Sequence, residues 1–327
     1  MRVAHLLQRR QILASASGIS LLSSFGPLRL LAGDGSQLAS APSYHAALPY
    51  RWQAGLSISP VNGPCEGVFA TLPLPQAWPE QSLELVDREA SRQVTAVRHR
   101  QLDSAVPQAL ITIPRIDAGD TARVLMTYEV EVQAVRAPSD PASLNVPMSM
   151  PAAVRRQLAT SPGINPRATA IRTRASELVA SAGNDWDRVA ALYDWVRDHV
   201  NCRDCERQGS LLALQKGWGN KEDVSSLFIA LCRALRIPAR TVWVPDHNYA
   251  EFYLQTSAGK GHWFPCEMIA GRSFGELSSR RPILQRGDNF RVPENKQTLR
   301  YVPEHLKVSR ALAQPQVKFI RELTNVS

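Results

Sequence analysis

Residues 219–244 read GNKEDVSSLFIALCRALRIPARTVWV, residues 247–254 read HNYAEFYL, and residues 262–267 read HWFPCE. Val224, Leu227, Phe228, Leu231, Cys232 and Leu235 recur at helical spacing, which predicts a largely buried helix over about 223–236. Ile237-Pro238 ends it, because proline disfavours helical geometry in the residue before it. Thr241 to Val244 is β-branched and aromatic and reads as a buried strand, with Pro245-Asp246 as the turn that follows. From His247 onward, strand alternation puts His247, Tyr249, Glu251 and Tyr253 on one face. Ser257 to Gly261 reads as a hairpin loop returning the chain through His262 to Glu267. That hairpin can set Glu267 beside His247, with the first turn of the helix presented to both.

These residues resemble the transglutaminase-like superfamily of the papain-like cysteine-protease fold, and the resemblance covers Trp186 to Glu267. In that family a cysteine stands two residues after a glycine at the start of a buried helix. A histidine opens a strand reading H-x-aromatic-x-E, and an aspartate closes the next strand after an aromatic and a proline. Here the three positions hold Lys221, His247 and Glu267. The resemblance thus implies an α+β core with a degenerate Cys-His-Asp triad.

The family's geometry has a chemical reason. A helix N-terminus and a nearby imidazolium stabilise a thiolate, and a carboxylate fixes the histidine tautomer. A lysine ammonium at that place meets the positive end of the helix dipole, an unfavourable term of roughly 0.3–1 kcal/mol. Two readings of Lys221 stand: it pairs with Glu222, Asp223 or Glu267, or its deprotonated amine attacks a carbonyl as Schiff-base lysines do. Glu267 keeps the aspartate charge and adds a methylene, so it either still orients His247 or forms a satisfied contact on the sheet. Tyr249 and Glu251, at the family's aromatic and acidic positions, read as structural.

No other side chain replaces the thiol on pattern alone. Cys232 lies eleven residues beyond Lys221, about 16 Å along the helix axis, and reads as core. Cys266 neighbours Glu267 on a strand and so faces the opposite way. Ser225 is one turn beyond Lys221 and deeper than a nucleophile should be. Cys202 and Cys205, in CRDC, lie at an unbounded distance from His247. They read as a vicinal thiol pair, free or disulfide-bonded, with a redox dithiol or half of a zinc site as alternatives. No second ligand pair accompanies them, so no metal is expected, with Cys202 and Cys205 as the weak candidates; no cofactor is expected either.

The chain has 327 residues, 44% of them hydrophobic, enough for one large or two ordinary cores. The N-terminus reads as an export signal: Arg9-Arg10-Gln11-Ile12-Leu13 is a twin-arginine pattern, and Ala39-Ser40-Ala41 fits an A-x-A cleavage site. The apolar stretch is too short for a membrane span, so an exported protein, periplasmic or extracellular, is expected without stable membrane insertion after cleavage. Formal charge is +9, and beyond residue 41 the remaining 34 basic and 28 acidic residues leave +6. That excess suits an anionic envelope polymer. The basic residues form no dense run with interleaved aromatics, so nucleic acid is not an expected partner. Arg155, Arg156, Arg167, Arg172 and Arg174 read as a solvated linker and helix face.

The expected fold class is α+β: an N-terminal antiparallel β-sandwich-like domain followed by a transglutaminase-like, papain-like α+β core. Short alternating segments run from Trp52 to Ser59, Val68 to Leu72, Ser82 to Val86, Ala109 to Ile113 and Arg123 to Val132, divided by turn signals. The expected organisation is a signal peptide at 1–41, the β-domain at 42–137 and a linker at 138–166. A transglutaminase-like domain at 167–300 follows, with helices at about 167–182 and 185–199, and then a C-terminal extension at 301–327. Val308 to Leu323 is expected to include a terminal helix. The expected function is binding of a peptide or protein segment without turnover. The alternative is an active amide-processing enzyme, an acyl transferase or cysteine-type peptidase, with a non-standard nucleophile.

Overall fold

The computed structural model describes residues 39–102 and 106–326, so the twin-arginine pattern at Arg9-Arg10 lies outside the described residues. Six strands come first: β1 (Ser43–Ser59), β2 (Cys65–Pro73), β3 (Gln81–Ala90), β4 (Ala96–Leu102), β5 (Val106–Ile116) and β6 (Ala122–Arg136). Five helices follow: α1 (Ala152–Arg155), α2 (Thr169–Leu178), α3 (Asp185–His199), α4 (Ser210–Lys216) and α5 (Lys221–Ala234). The chain then makes β7 (Ala239–Val244), β8 (His247–Gln255) and β9 (Gly261–Glu267), crosses an irregular stretch, and ends in β10 (His305–Ala311) and β11 (Gln316–Asn325).

The outer strands make two antiparallel four-stranded sheets, ordered β11-β1-β6-β3 and β10-β2-β5-β4. Trp52, Ala54, Leu56 and Ile58 of β1 alternate inward and share one apolar cluster with Val68 and Ala70 of β2 and Ile111 and Ile113 of β5. Alternation of this kind puts one face of each sheet on a common core.

The terminal helix expected over 308–323 is replaced by β10 and β11, which complete the two sheets. β11 pairs with β1 from Tyr50↔Asn325 to Ser59↔Gln316. Lys, Arg, Glu and Leu in this stretch favour helix locally, and sheet pairing overrides that preference. The charged edge strand β4, with Arg98, His99 and Arg100, also lacks the apolar alternation that marks the other strands.

The core sheet runs Ser273-Phe274, β9, β8, β7, Gln285-Arg286. α5 packs on one of its faces: Val224, Leu227, Phe228 and Leu231 are buried with Ala250, Phe252 and Leu254 of β8. Each fully buried large apolar side chain here contributes about 1.5–3 kcal/mol. Trp186 of α3 makes edge contacts with Phe252, Phe264 and Phe274, tying that helix to the same core. The opposite face carries Val242, Val244 and Tyr249, which pack with Val135 of β6. The residues flanking the expected cleavage site are engaged too, since the Ala39 carbonyl accepts the Asp140 N–H at 2.9 Å. Among the described residues, no helix is long and apolar enough to cross a membrane.

Candidate functional site

The start of α5 is fixed by a reciprocal cap. The Asn220 side chain accepts the Asp223 N–H at 3.0 Å, and the Asp223 carboxylate accepts the Asn220 N–H at 3.1 Å. Asp223 is fully buried and also accepts the backbone N–H groups of Gln208 at 3.1 Å and Gly209 at 2.6 Å, binding the preceding loop to the helix. Gly219 is required by this packing, because a Cβ there would lie 2.6 Å from that of Asp223. The N-x-x-D spacing from Asn220 to Asp223 carries the capping signal in the sequence, but the loop contacts have no local signature.

Lys221 is the first residue of α5 and is exposed. Its Nζ donates to the carbonyl oxygen of Asp246, in the two-residue turn between β7 and β8, where Asp246 has a left-handed φ of 58°. The expected pairing with Glu222, Asp223 or Glu267 is corrected accordingly. Glu222 lies 3.7 Å from Arg300, Asp223 is committed to backbone groups, and Glu267 meets His247.

His247 opens β8 and Glu267 closes β9, antiparallel neighbours in register from Ala250↔Cys266 to Gln255↔Gly261. His247 Nε2 lies 2.8 Å from Glu267 Oε2, so the longer glutamate reaches the ring. With Nε2 donating to this carboxylate, Nδ1 is the nitrogen left to face a reacting group. Burial pushes the Glu267 carboxyl pKa up. The hydrogen bond with His247, the Ile269 N–H at 3.0 Å and the charge of His247 outweigh burial and hold it below the usual range. The Glu267 carbonyl is anchored as well, accepting from the Tyr193 hydroxyl at 2.7 Å and from Arg197 at 3.2 Å. Burial raises the Tyr193 phenol to about 12, so it stays a donor at that carbonyl. Sequence pattern does not mark Tyr193 or Arg197 as supports, since both lie on α3, 74 and 70 residues upstream of Glu267.

The other family positions support the sheet. Glu251 is buried and bridges Arg240 and Arg286, each at 2.9 Å, while Arg286 also pairs with Glu80. Burial works against the Arg286 charge, and Glu251 and Glu80 more than offset it. Tyr249 is buried beside Val135 and Leu277. The space bounded by His247, Glu267, Tyr249, Glu80 and Leu277 is narrow, about 10 Å³. That is the room of a single water molecule.

The thiols separate by position. Cys232 and Cys266 are fully buried in the helix-sheet core, where burial raises both well above the ordinary thiol value. Cys65 is buried between the two outer sheets. Ser225 is also buried, and its hydroxyl donates to the Lys221 carbonyl at 3.2 Å. Cys202, by contrast, is exposed and pairs in parallel register with Gly219, two residues before Lys221. The Cys205 carbonyl accepts from the Asn220 side chain at 3.2 Å. The CRDC segment therefore lies against the start of α5. Partial burial and then Cys205 raise the Cys202 thiol, and the charge of Lys221 opposes them. Among the described residues, no group of three or more His, Cys, Asp or Glu side chains is gathered for a metal ion.

Residues 172–268 match the model of the Transglutaminase-like superfamily. The core is transglutaminase-like. Among solved structures, a protein from Cytophaga hutchinsonii named as a candidate cysteine protease superposes with a TM-score of 0.56 at 14% identity. The match covers 88% of this chain and 93% of that one, a likeness of fold. A candidate protease from Parabacteroides distasonis, also 14% identical, covers 70% of this chain and 44% of its own at a TM-score of 0.27, too low to carry an argument. No curated protein matches the sequence.

Proposed function

We propose that this chain is an exported protein in which a β-sandwich-like domain carries a transglutaminase-like core that binds a peptide or protein segment without turning it over. The observation that carries the reading is the state of Lys221. It stands at the nucleophile's place on α5, exposed, with its amine used as a donor to the Asp246 carbonyl. Lysines that act as nucleophiles are typically desolvated in apolar pockets or set beside another cation, whereas this one is exposed and donates to a backbone carbonyl. The His247–Glu267 pair keeps the orientation a general base needs, but the space beside it admits little more than one water. A bound segment therefore lies across the lip formed by Lys221, Asp246 and His247, with no side chain inserted deeply.

The test is to incubate wild-type protein with glutamine-containing peptides and peptide thioesters and to analyse the intact chain by mass spectrometry. No covalent acyl adduct is expected. A second reading, an active acyl transferase or peptidase, draws on the exposed Cys202 held beside Lys221. An adduct on Cys202, Cys205 or Lys221 that disappears in His247→Ala would establish it. Export is tested separately by replacing Arg9 and Arg10 with lysine, which should retain the precursor in the cytoplasm; unchanged delivery outside the cytoplasm would remove that part of the proposal.

A further inference from the structure

At the opposite end of α5 from Lys221, about 20 Å along the helix axis, lies a second cavity of about 380 Å³. Leu158, Pro166, Arg167, Arg172, Arg233, Ala234 and Arg236 line it, and none of these is a carboxylate. Arg233 is not available to a ligand. Its buried guanidinium is held by both oxygens of Asp288 at 2.9 Å, by the Ala159 carbonyl at 2.7 Å and by the Ser161 hydroxyl at 3.1 Å. Arg167, Arg172 and Arg236 are exposed, and none of them enters an ion pair among the described residues. Glu177, the single acid of α2, pairs with Arg174 instead.

Two features of the backbone add to the positive character of this cavity. α2 begins beside Pro166 and Arg167 with Ala168 at its cap position, no side-chain cap and no acid in its first turn, so its dipole is uncompensated there. Arg236 follows the end of α5 with a φ of 63°, a left-handed conformation that glycine adopts more easily than any L residue. A long cationic side chain thus occupies a place where backbone geometry alone would favour glycine.

We infer that this cavity is a binding site for a phosphate-type oxyanion carrying at least two negative charges, such as a phosphomonoester or pyrophosphate. Planar guanidinium forks donate paired hydrogen bonds to oxyanions of this shape. Three of them facing one acid-free cavity repel one another until an anion of comparable charge enters, and a single carboxylate leaves most of that repulsion in place. The apolar surfaces of Leu158, Pro166 and Ala234 offer contact for the organic part of a monoester. Arg167 and Arg172, which read in the sequence as a solvated face, acquire a common target through the approach of α2 to the end of α5. The inference does not rest on the His247 site.

The test uses the full chain and isothermal titration calorimetry with inorganic phosphate and pyrophosphate. A flotation assay with phosphatidylcholine vesicles, with and without phosphatidic acid, accompanies it. Wild type should bind pyrophosphate saturably at one site and lose affinity as salt rises. Arg236→Gly suits the left-handed backbone and should leave the thermal midpoint near that of wild type. That substitution and Arg172→Gln should each weaken binding about tenfold, and His247→Ala should leave it unchanged. Saturation by pyrophosphate alone supports a soluble ligand, and flotation only with phosphatidic acid supports a lipid headgroup carrying the same group. Absence of saturable binding to every probe at low salt would overturn the inference, as would unchanged binding in a folded Arg172→Gln, Arg236→Gly double variant.

Discussion

Replacing Asp223 by alanine tests how the sequence holds the start of α5 in place. The carboxylate is fully buried and accepts the N–H groups of Asn220, Gln208 and Gly209 at 3.1, 3.1 and 2.6 Å. Loss of a helix-capping acceptor costs about 1 kcal/mol. The buried Gly209 N–H left without a partner costs a further 1–3 kcal/mol, roughly. The two contributions share one side chain and are not fully additive, so Asp223→Ala should lose about 3 kcal/mol. With a urea slope of about 3 kcal/mol/M, the unfolding midpoint falls by about 1 M. Asp223→Asn keeps the size and one acceptor oxygen and should lose about half as much. Circular dichroism during urea titration reads both effects. An Asp223→Ala midpoint within about 0.2 M of wild type would refute the claim that this carboxylate fastens the 203–209 loop to α5.

Acid stability should depend on Glu267. Its folded pKa lies below the ordinary value of 4.5, so its contribution is fully present above pH 4.5 and is lost as pH falls through the depressed folded value. Glu267→Gln should therefore lower the thermal midpoint near neutral pH and narrow its gap from wild type on acidification; a gap that stays constant across that range would contradict this. The five cysteines should also divide cleanly toward iodoacetamide. Cys202 and Cys205 label in the native protein, whereas Cys65, Cys232 and Cys266 label only after denaturation, as peptide mapping would show. Native labelling of Cys232 or Cys266 would contradict the packing of α5 on the core sheet.

Much of the core is legible because its signals are local. The apolar spacing from Val224 to Leu235, the Ile237-Pro238 stop and the Ser257 to Gly261 loop specify helix, strand and hairpin within short windows. The outer sheets are less so. β10 and β11 acquire their inward faces only by pairing with β2 and β1, more than 200 residues away, and their composition favours a helix in isolation. At the site, sequence spacing proposes Lys221, His247 and Glu267, but the partner of Lys221 is a backbone carbonyl, for which no side chain provides a signal. Cys202 reaches the same neighbourhood through a two-residue parallel bridge to Gly219, too short to leave a pattern. Tyr193 and Arg197 converge on the Glu267 carbonyl only once α3 packs on the sheet.

The central claim is that position 221 is the nucleophile's place in a site otherwise arranged to activate a thiol. The most direct measurement is the alkylation rate of the thiol in Lys221→Cys, followed by mass spectrometry as a function of pH. A thiol at the N-terminus of α5, at the position whose side chain now reaches the Asp246 carbonyl next to His247 in the chain, should have a depressed pKa. Each unit of depression raises the thiolate fraction about tenfold below the ordinary thiol range. This thiol should alkylate about tenfold or more faster than Cys202 in the same molecule near pH 6.5, and His247→Ala should abolish the advantage. A thiol at 221 that reacts no faster than Cys202, or whose rate is indifferent to His247, would contradict the claim.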